Sequence, residues 1–165
     1  MLEASAEFKE SWPAQIRGLI DEADLADDGF EDDPHVTVLF GLHEEEVAAQ
    51  VVQDILATAG PISVTVDEIS LFENDEYDVV KYTVPEDPEL LRLRRDLLQL
   101  PSTVTFPDYC PHMTIAYVKK GCGKKYAGKL DQPMAVTFDT ALYSYHEESG
   151  NKESRVQCRT PLERA

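Results

Sequence analysis

The chain has 165 residues, enough for one domain with a real core, and its 42% hydrophobic and 28% charged content is an ordinary globular mix. Its 32 acidic against 15 basic residues give a formal net charge of −17, which argues against tight binding of long nucleic acid through its backbone but leaves room for a small phosphorylated ligand in a locally basic pocket; solubility or a high-salt habitat accounts for the charge equally well. No apolar run approaches the ~20 residues of a membrane span, no basic segment leading into an apolar one opens the chain, so a cytoplasmic protein is expected, and three cysteines (Cys110, Cys122, Cys158) without Cys-x-x-Cys spacing exclude a disulfide framework or zinc site.

Along the chain, Leu2, Ala4, Ala6 and Phe8 alternate and predict a short strand over residues 2–8. Pro13 suits a first helical turn, and Ile16, Leu19, Ile20 and Ala23 share a face, which predicts a helix from Pro13 to Asp24. The acidic run Asp27 to Asp33, containing Gly29, reads as a loop. Pro34-His35-Val36-Thr37-Val38-Leu39-Phe40 is rich in β-branched residues and predicts a strand. A helix is expected from Glu44 to Ala59, with Val47, Val51, Val52, Ile55 and Leu56 on its apolar face, Glu44, Glu45 and Glu46 at its positive end and Gly60 as its stop. Strands follow over Ile62–Phe72 and Tyr77–Val84 around the turn Glu73-Asn74-Asp75-Glu76. Asp87-Pro88 then caps a helix with Leu90, Leu91, Leu97 and Leu98 on one side, and Pro101 ends it.

From Pro111 the pattern recurs. Pro111-His112-Met113-Thr114-Ile115-Ala116-Tyr117 matches the earlier strand as Pro-His-apolar-Thr-apolar-apolar-aromatic, and Pro133-Met134-Ala135-Val136-Thr137-Phe138-Asp139 resembles Pro61-Ile62-Ser63-Val64-Thr65-Val66-Asp67. From histidine to second proline is 26 positions in the first copy and 21 in the second. Two ordered matches are far harder to obtain by chance than one. They predict a single domain, 1–165, built of two internal repeats at about 32–84 and 108–160, related by a pseudo-twofold.

On a strand, residues two apart share a face. His35 and Thr37 therefore point one way and Val36, Val38 and Phe40 the other; His112 and Thr114 likewise oppose Met113, Ile115 and Tyr117. If the two fronts meet across a cleft, it holds two imidazoles and two hydroxyls. Phosphodiester cleavage needs a base for the attacking oxygen and an acid for the leaving one, and histidine serves in both roles near neutrality. Threonine hydroxyls can donate to the non-bridging oxygens, and no metal or other cofactor is required. A lone His-x-Thr carries little weight; it is the duplication that turns the odds toward a site. His43 reads as a cap or surface residue and His146 as solvated in a polar turn with Glu147, Glu148 and Gly150. Cys110 could share a face with His112 as a minor alternative nucleophile. Lys119, Lys120, Lys124, Lys125 and Lys129, spaced by Gly121, Gly123 and Gly128, form either a basic loop at the cleft mouth, with Lys119 and Lys120 as substrate-binding candidates, or a solvated loop. Tyr109 and Tyr145 are candidates for stacking on a base.

The motifs Pro34 to Val38 and Pro111 to Ile115 resemble those of the 2H phosphoesterase superfamily, which includes 2′-5′ RNA ligase-like proteins and cyclic phosphodiesterases. The resemblance runs from the first strand to about Thr160. Asp32 to Leu42 and Pro111 to Val118 look particularly like the bacterial and phage branch, with its nucleases that degrade the cyclic oligonucleotide signals of antiviral (CBASS) defence. It implies a bilobal α+β fold: two pseudo-twofold lobes, antiparallel sheets around a central cleft and helices outside. It also implies catalysis by His35 and His112, with Thr37 and Thr114 binding phosphate. The expected function is a metal-independent phosphodiesterase acting on a cyclic phosphate or a short 2′-5′ or 3′-5′ linked, even cyclic, oligonucleotide. The alternatives are a non-catalytic nucleotide-binding module and an acidic interaction protein. The intact His and Thr pairs favour the enzyme, because mere binding does not need both imidazoles.

Overall fold

Among the residues that the computed structural model describes, 1–43, 45–105, 108–146 and 154–163 (of 145, 146 and 154–157 the backbone alone), eight antiparallel strands join in one curled sheet with three α-helices. In chain order the elements are β1 (Leu2–Ala4), α1 (Ala6–Arg17), β2 (Leu25–Phe30), β3 (His35–Val36), α2 (Ala49–Leu56), β4 (Ile62–Glu73), β5 (Tyr77–Thr83), α3 (Pro88–Leu97), β6 (His112–Lys119), β7 (Gly128–His146) and β8 (Ser154–Pro161). The strands are ordered β2-β6-β5-β4-β7-β1-β3, and β8 pairs with the C-terminal half of β7.

At the centre, β4 and β7 bring the two similar segments of sequence against each other. Ile62 lies opposite Phe138, Ser63 opposite Thr137 and Val64 opposite Val136. Val64 and Val136 are also the corresponding residues of the two segments, so this is the register that a local twofold axis between them would impose. Strand twist accumulates across a sheet. Here the curl brings β3 and β6, five places apart in the strand order, into contact.

One face of the strands feeds a single core. Val36, Val66, Val80, Met113, Ile115 and Phe138 are buried there with Trp12 of α1 and Leu90 and Leu93 of α3. Side chains of this size stabilise by roughly 1.5–3 kcal/mol each on leaving water. Trp12 packs on Tyr82, ring centroids 6.1 Å apart. Its indole N–H donates to the Glu31 carbonyl at 2.8 Å, which fastens α1 over the segment leading to His35.

Several elements depart from the sequence expectation. The first helix starts at Ala6, with Ser5 as its N-cap accepting the Phe8 N–H, and its buried stripe is Trp12 and Ile16, one turn apart. Pro13 lies inside it, forfeiting one backbone donor. The acidic run expected as a loop is in part strand β2. At a sheet edge Asp27 and Asp28 stay exposed while the backbone still pairs. The strand expected over Pro34 to Phe40 pairs only at His35 and Val36, and Phe40, expected on the buried back, is 72% exposed. The second helix is confined to Ala49–Leu56, because His43 closes a separate turn by accepting from the Glu46 and Val47 N–H groups and no side chain caps Ala48. Glu44 and the polar turn expected at Glu147 to Gly150 lie outside the described residues.

Candidate active site

Each of the two histidines opens a strand directly after a buried proline, Pro34 or Pro111. Proline holds the residue before it in extended backbone, and in both copies the carbonyl of that residue meets the imidazole. His35 Nδ1 bonds Asp33 O at 2.9 Å, and His112 Nδ1 bonds Cys110 O at 2.8 Å. A carbonyl only accepts, so Nδ1 carries the hydrogen in both rings and Nε2 is left for other chemistry. Such a ring can take a proton at Nε2 when neutral and give one from it when charged.

The two half-buried rings lie within electrostatic reach of each other. Burial holds the His112 imidazole below the ordinary range; its bond to Cys110 O pulls the other way, while the charges of Lys81 and His35 add to the lowering. Glu31, tied to β6 by its N–H donating to Ile115 O at 2.9 Å, stands in the same relation to His35. Burial raises the Glu31 carboxyl above its usual range and the His35 charge opposes that.

Thr37 and Thr114 are each half-buried between fully buried neighbours, Val36 and Val38 in one case, Met113 and Ile115 in the other. They therefore share a side with their histidines. Tyr117 does not follow the expected alternation. The β5–β6 register slips by one residue, Lys81 opposite Thr114 but Val80 opposite Ala116. This bulge at Ile115 moves Tyr117 from the back of the strand to the face of His112 and Thr114, where it pairs with Val79 and meets Tyr77 edge-on at 5.6 Å.

The remaining candidates are elsewhere or otherwise engaged. The Tyr109 hydroxyl donates to Thr37 O at 2.7 Å, and the Arg94 guanidinium lies over its ring at 4.3 Å while also donating to Val38 O at 2.9 Å. Tyr109 thus braces the segment after His35, with one ring face already covered. Lys119 sits at the far end of β6, roughly 23 Å along the strand from His112. It donates to Ala23 O, and Lys120 donates to Asn74 O. Lys125 pairs with Asp24 and Lys129 with Asp67, so this cluster is spent largely on the chain's own acceptors. The side chains of Tyr145 and His146 lie outside the described residues. His43 is exposed, between Glu46 and Thr103. All three cysteines are free, and Cys110 is exposed. A cavity of about 230 Å³ is lined by Thr37 together with Leu39, Leu42, Val52 and Leu97, with neither histidine on its wall. Among the described residues no group of three His, Cys, Asp or Glu is placed to hold a metal ion, and no helix is long and apolar enough to cross a membrane.

Sequence reasoning missed two charged neighbours of the histidines. Lys81 had a readable signal, one lysine in the otherwise apolar run Val79-Val80-Lys81-Tyr82. Glu31 had none, being one carboxylate in an acidic stretch.

The family model of the 2′-5′ RNA ligase superfamily matches residues 8–139. Comparison with curated protein sequences gives no match. Among solved structures, a protein described as a phosphoesterase superposes with a TM-score of 0.67 at 15% identity, over 99% of this chain and 96% of that one. Escherichia coli LigT complexed with 3′-AMP gives 0.63 at 12% identity, over 98% and 94% of the two chains. LigT complexed with NADP+ gives 0.57 at 16%, over 98% and 92%.

Proposed function

The chain belongs to the 2′-5′ RNA ligase superfamily, and from that membership we propose that it is a metal-independent phosphodiesterase hydrolysing a cyclic phosphate or a short 2′-5′ or 3′-5′ linked, linear or cyclic, oligonucleotide. The observation that carries this reading is the matched tethering of the two imidazoles. Each is fixed through Nδ1 to a carbonyl, each keeps Nε2 for proton transfer, and the two rings are close enough to sense each other's charge. His112, whose pKa is depressed, starts neutral and takes a proton from the attacking water. His35 gives a proton to the leaving ribose oxygen as the P–O bond breaks, and the pair returns to its starting state by exchange with solvent. Thr37 and Thr114 donate to the non-bridging oxygens, where charge grows in the transition state. The LigT complexes with 3′-AMP and NADP+ favour a substrate of nucleotide size. The net charge of −17 speaks against long RNA.

The test is turnover of 2′,3′-cyclic nucleotides and of linear and cyclic 2′-5′ and 3′-5′ oligonucleotides in the presence of EDTA. At least one should be cleaved. His35→Ala and His112→Ala should each lose about 10²–10⁴-fold in rate, with the double variant little worse than the poorer single one. Thr37→Val and Thr114→Val should lose less and keep the fold. Near-normal turnover by either alanine variant at saturating substrate sinks the two-histidine mechanism.

A further inference from the structure

One cation on the face of His112, Lys81, has no carboxylate in ion-pair contact among the described residues. Lys81 lies on β5 opposite Thr114 of β6 and Ser70 of β4, so all three side chains share the face that carries His112, which is paired with Thr83. Lys81 Nζ donates to Ser70 Oγ at 2.8 Å, and Ser70 Oγ is itself hydrogen-bonded to Thr83 Oγ1 at 2.7 Å. This network fixes the ammonium on the sheet face that carries His112.

Other cations of the chain meet its own carboxylates or carbonyls: Lys9 and Arg159 meet Glu3, Arg92 meets Glu89 and Asp96, Lys125 meets Asp24, Lys129 meets Asp67, and Lys119, Lys120 and Arg94 donate to backbone oxygens. Among the described residues no carboxylate is in ion-pair contact with Lys81. That is notable in a chain whose acidic residues outnumber basic ones 32 to 15. A half-buried ammonium without a counter-charge pays a desolvation cost, and burial does lower the Lys81 pKa while the more distant Cys110 and Glu68 pull it up. An ammonium has three donors, and one is spent on Ser70.

We propose that Lys81 is a phosphate-binding residue of this site, its ammonium contacting a non-bridging oxygen of the phosphoryl group that the two histidines flank. The proposal rests on the reading of this face as a phosphodiester site and adds to it a cation that keeps its charge after His35 has given up its proton. Threonine hydroxyls are neutral, and a bound phosphodiester brings a negative charge that only a cation can neutralise. Lys81 has a second consequence for His112. The charges facing that ring are Lys81 from β5 and His35 from β3, and the positive field of Lys81 favours its neutral, proton-accepting form.

The experiment measures binding of inorganic phosphate by isothermal titration, with adenosine as an uncharged control, to the full chain and to Lys81→Met, Lys81→Gln and Lys81→Arg, each checked for folding by circular dichroism. Losing one charge-assisted contact should weaken phosphate binding by about 10- to 100-fold in Lys81→Met and Lys81→Gln, while Lys81→Arg retains most of it. In the same neutral variants the His112 imidazole, followed by its NMR titration, should move to higher pKa, which reports that the Lys81 charge acts on that ring. Phosphate binding unchanged in a folded neutral variant, or absent in the wild-type chain, overturns the proposal. Turnover is scored separately. If the wild type binds phosphate through Lys81 yet cleaves nothing in the substrate panel, the phosphodiesterase reading fails and this one stands.

Discussion

The two histidines differ in their surroundings although their motifs match, and the difference has a measurable sign. His112 is held below the ordinary imidazole value of 6.5 by burial and by Lys81 and His35. As pH falls, the unfolded chain takes up this proton first, so His112 contributes stability above 6.5 that is lost as pH drops toward its lowered value. The same group sets the ascending limb of kcat/KM if it is the base. A pH profile of kcat/KM should therefore rise with a midpoint below 6.5, and a midpoint above it would remove His112 from that role. Tyr109 makes a second prediction. Its hydroxyl donates to Thr37 O, so Tyr109→Phe should cost about 0.5–1.5 kcal/mol in thermal or urea unfolding and lower turnover by loosening Thr37. A pure base-stacking residue would keep both stability and turnover in this variant, because phenylalanine retains the ring. At this scale the sequence was informative because the repeat marked both histidines. It was silent on Glu31, and it put Tyr117 on the wrong face, since a bulge depends on the partner strand and leaves no local pattern.

At the level of elements, the sequence was most legible where β-branched and aromatic runs are bounded by turn or capping residues. β4, β5 and β6 fall within a residue or two of their expected ends, and α3 begins on its Asp87 cap as anticipated. It was least legible where a chain segment is held by side chains or by an edge. β2 is a strand because the β6 edge was there to pair with, and residues 37–41 are held by Tyr109, Arg94 and a backbone contact. That contact is close. Gly41 adopts φ 109°, its carbonyl accepts the Thr103 N–H at 2.9 Å, and a Cβ there would stand 2.1 Å from Thr103 O. Gly41→Ala is thus both conformationally strained and obstructed by backbone. It should destabilise by at least about 1–3 kcal/mol in thermal unfolding, and it should depress turnover by displacing Thr37. Wild-type melting for this variant would show that the contact is dispensable.

For the whole molecule, the antiparallel α+β class and the 2H phosphoesterase-like fold were readable from the repeat and the resemblance, and the strands prove to belong to one continuous curled sheet. We propose that the fold is a duplication, supported by the pairing of the corresponding residues Val64 and Val136 across β4 and β7. What the sequence did not reveal is how the sheet closes. Among the described residues β3 is hydrogen-bonded into the sheet through β1, and β1 in turn pairs with β7, with Leu2 opposite both Val36 and Ala141. Such pairing of distant segments depends on loop closures that no local pattern encodes.

The placement of β1 has a consequence for the order in which the protein is made. β1 has its main partner at residues 138–141, far later in the chain. His35 and His112 both precede that partner in the chain, yet β1, to which β3 is hydrogen-bonded, has no strand to join until β7 exists. A nascent chain halted after Ala127 would carry both His-x-Thr motifs intact and still lack a site. Stalled or truncated chains of that length should show no turnover and no cooperative melting, whereas activity should appear once translation has passed β7. Measurable activity in the 127-residue fragment would mean that the histidines find each other without the closed sheet.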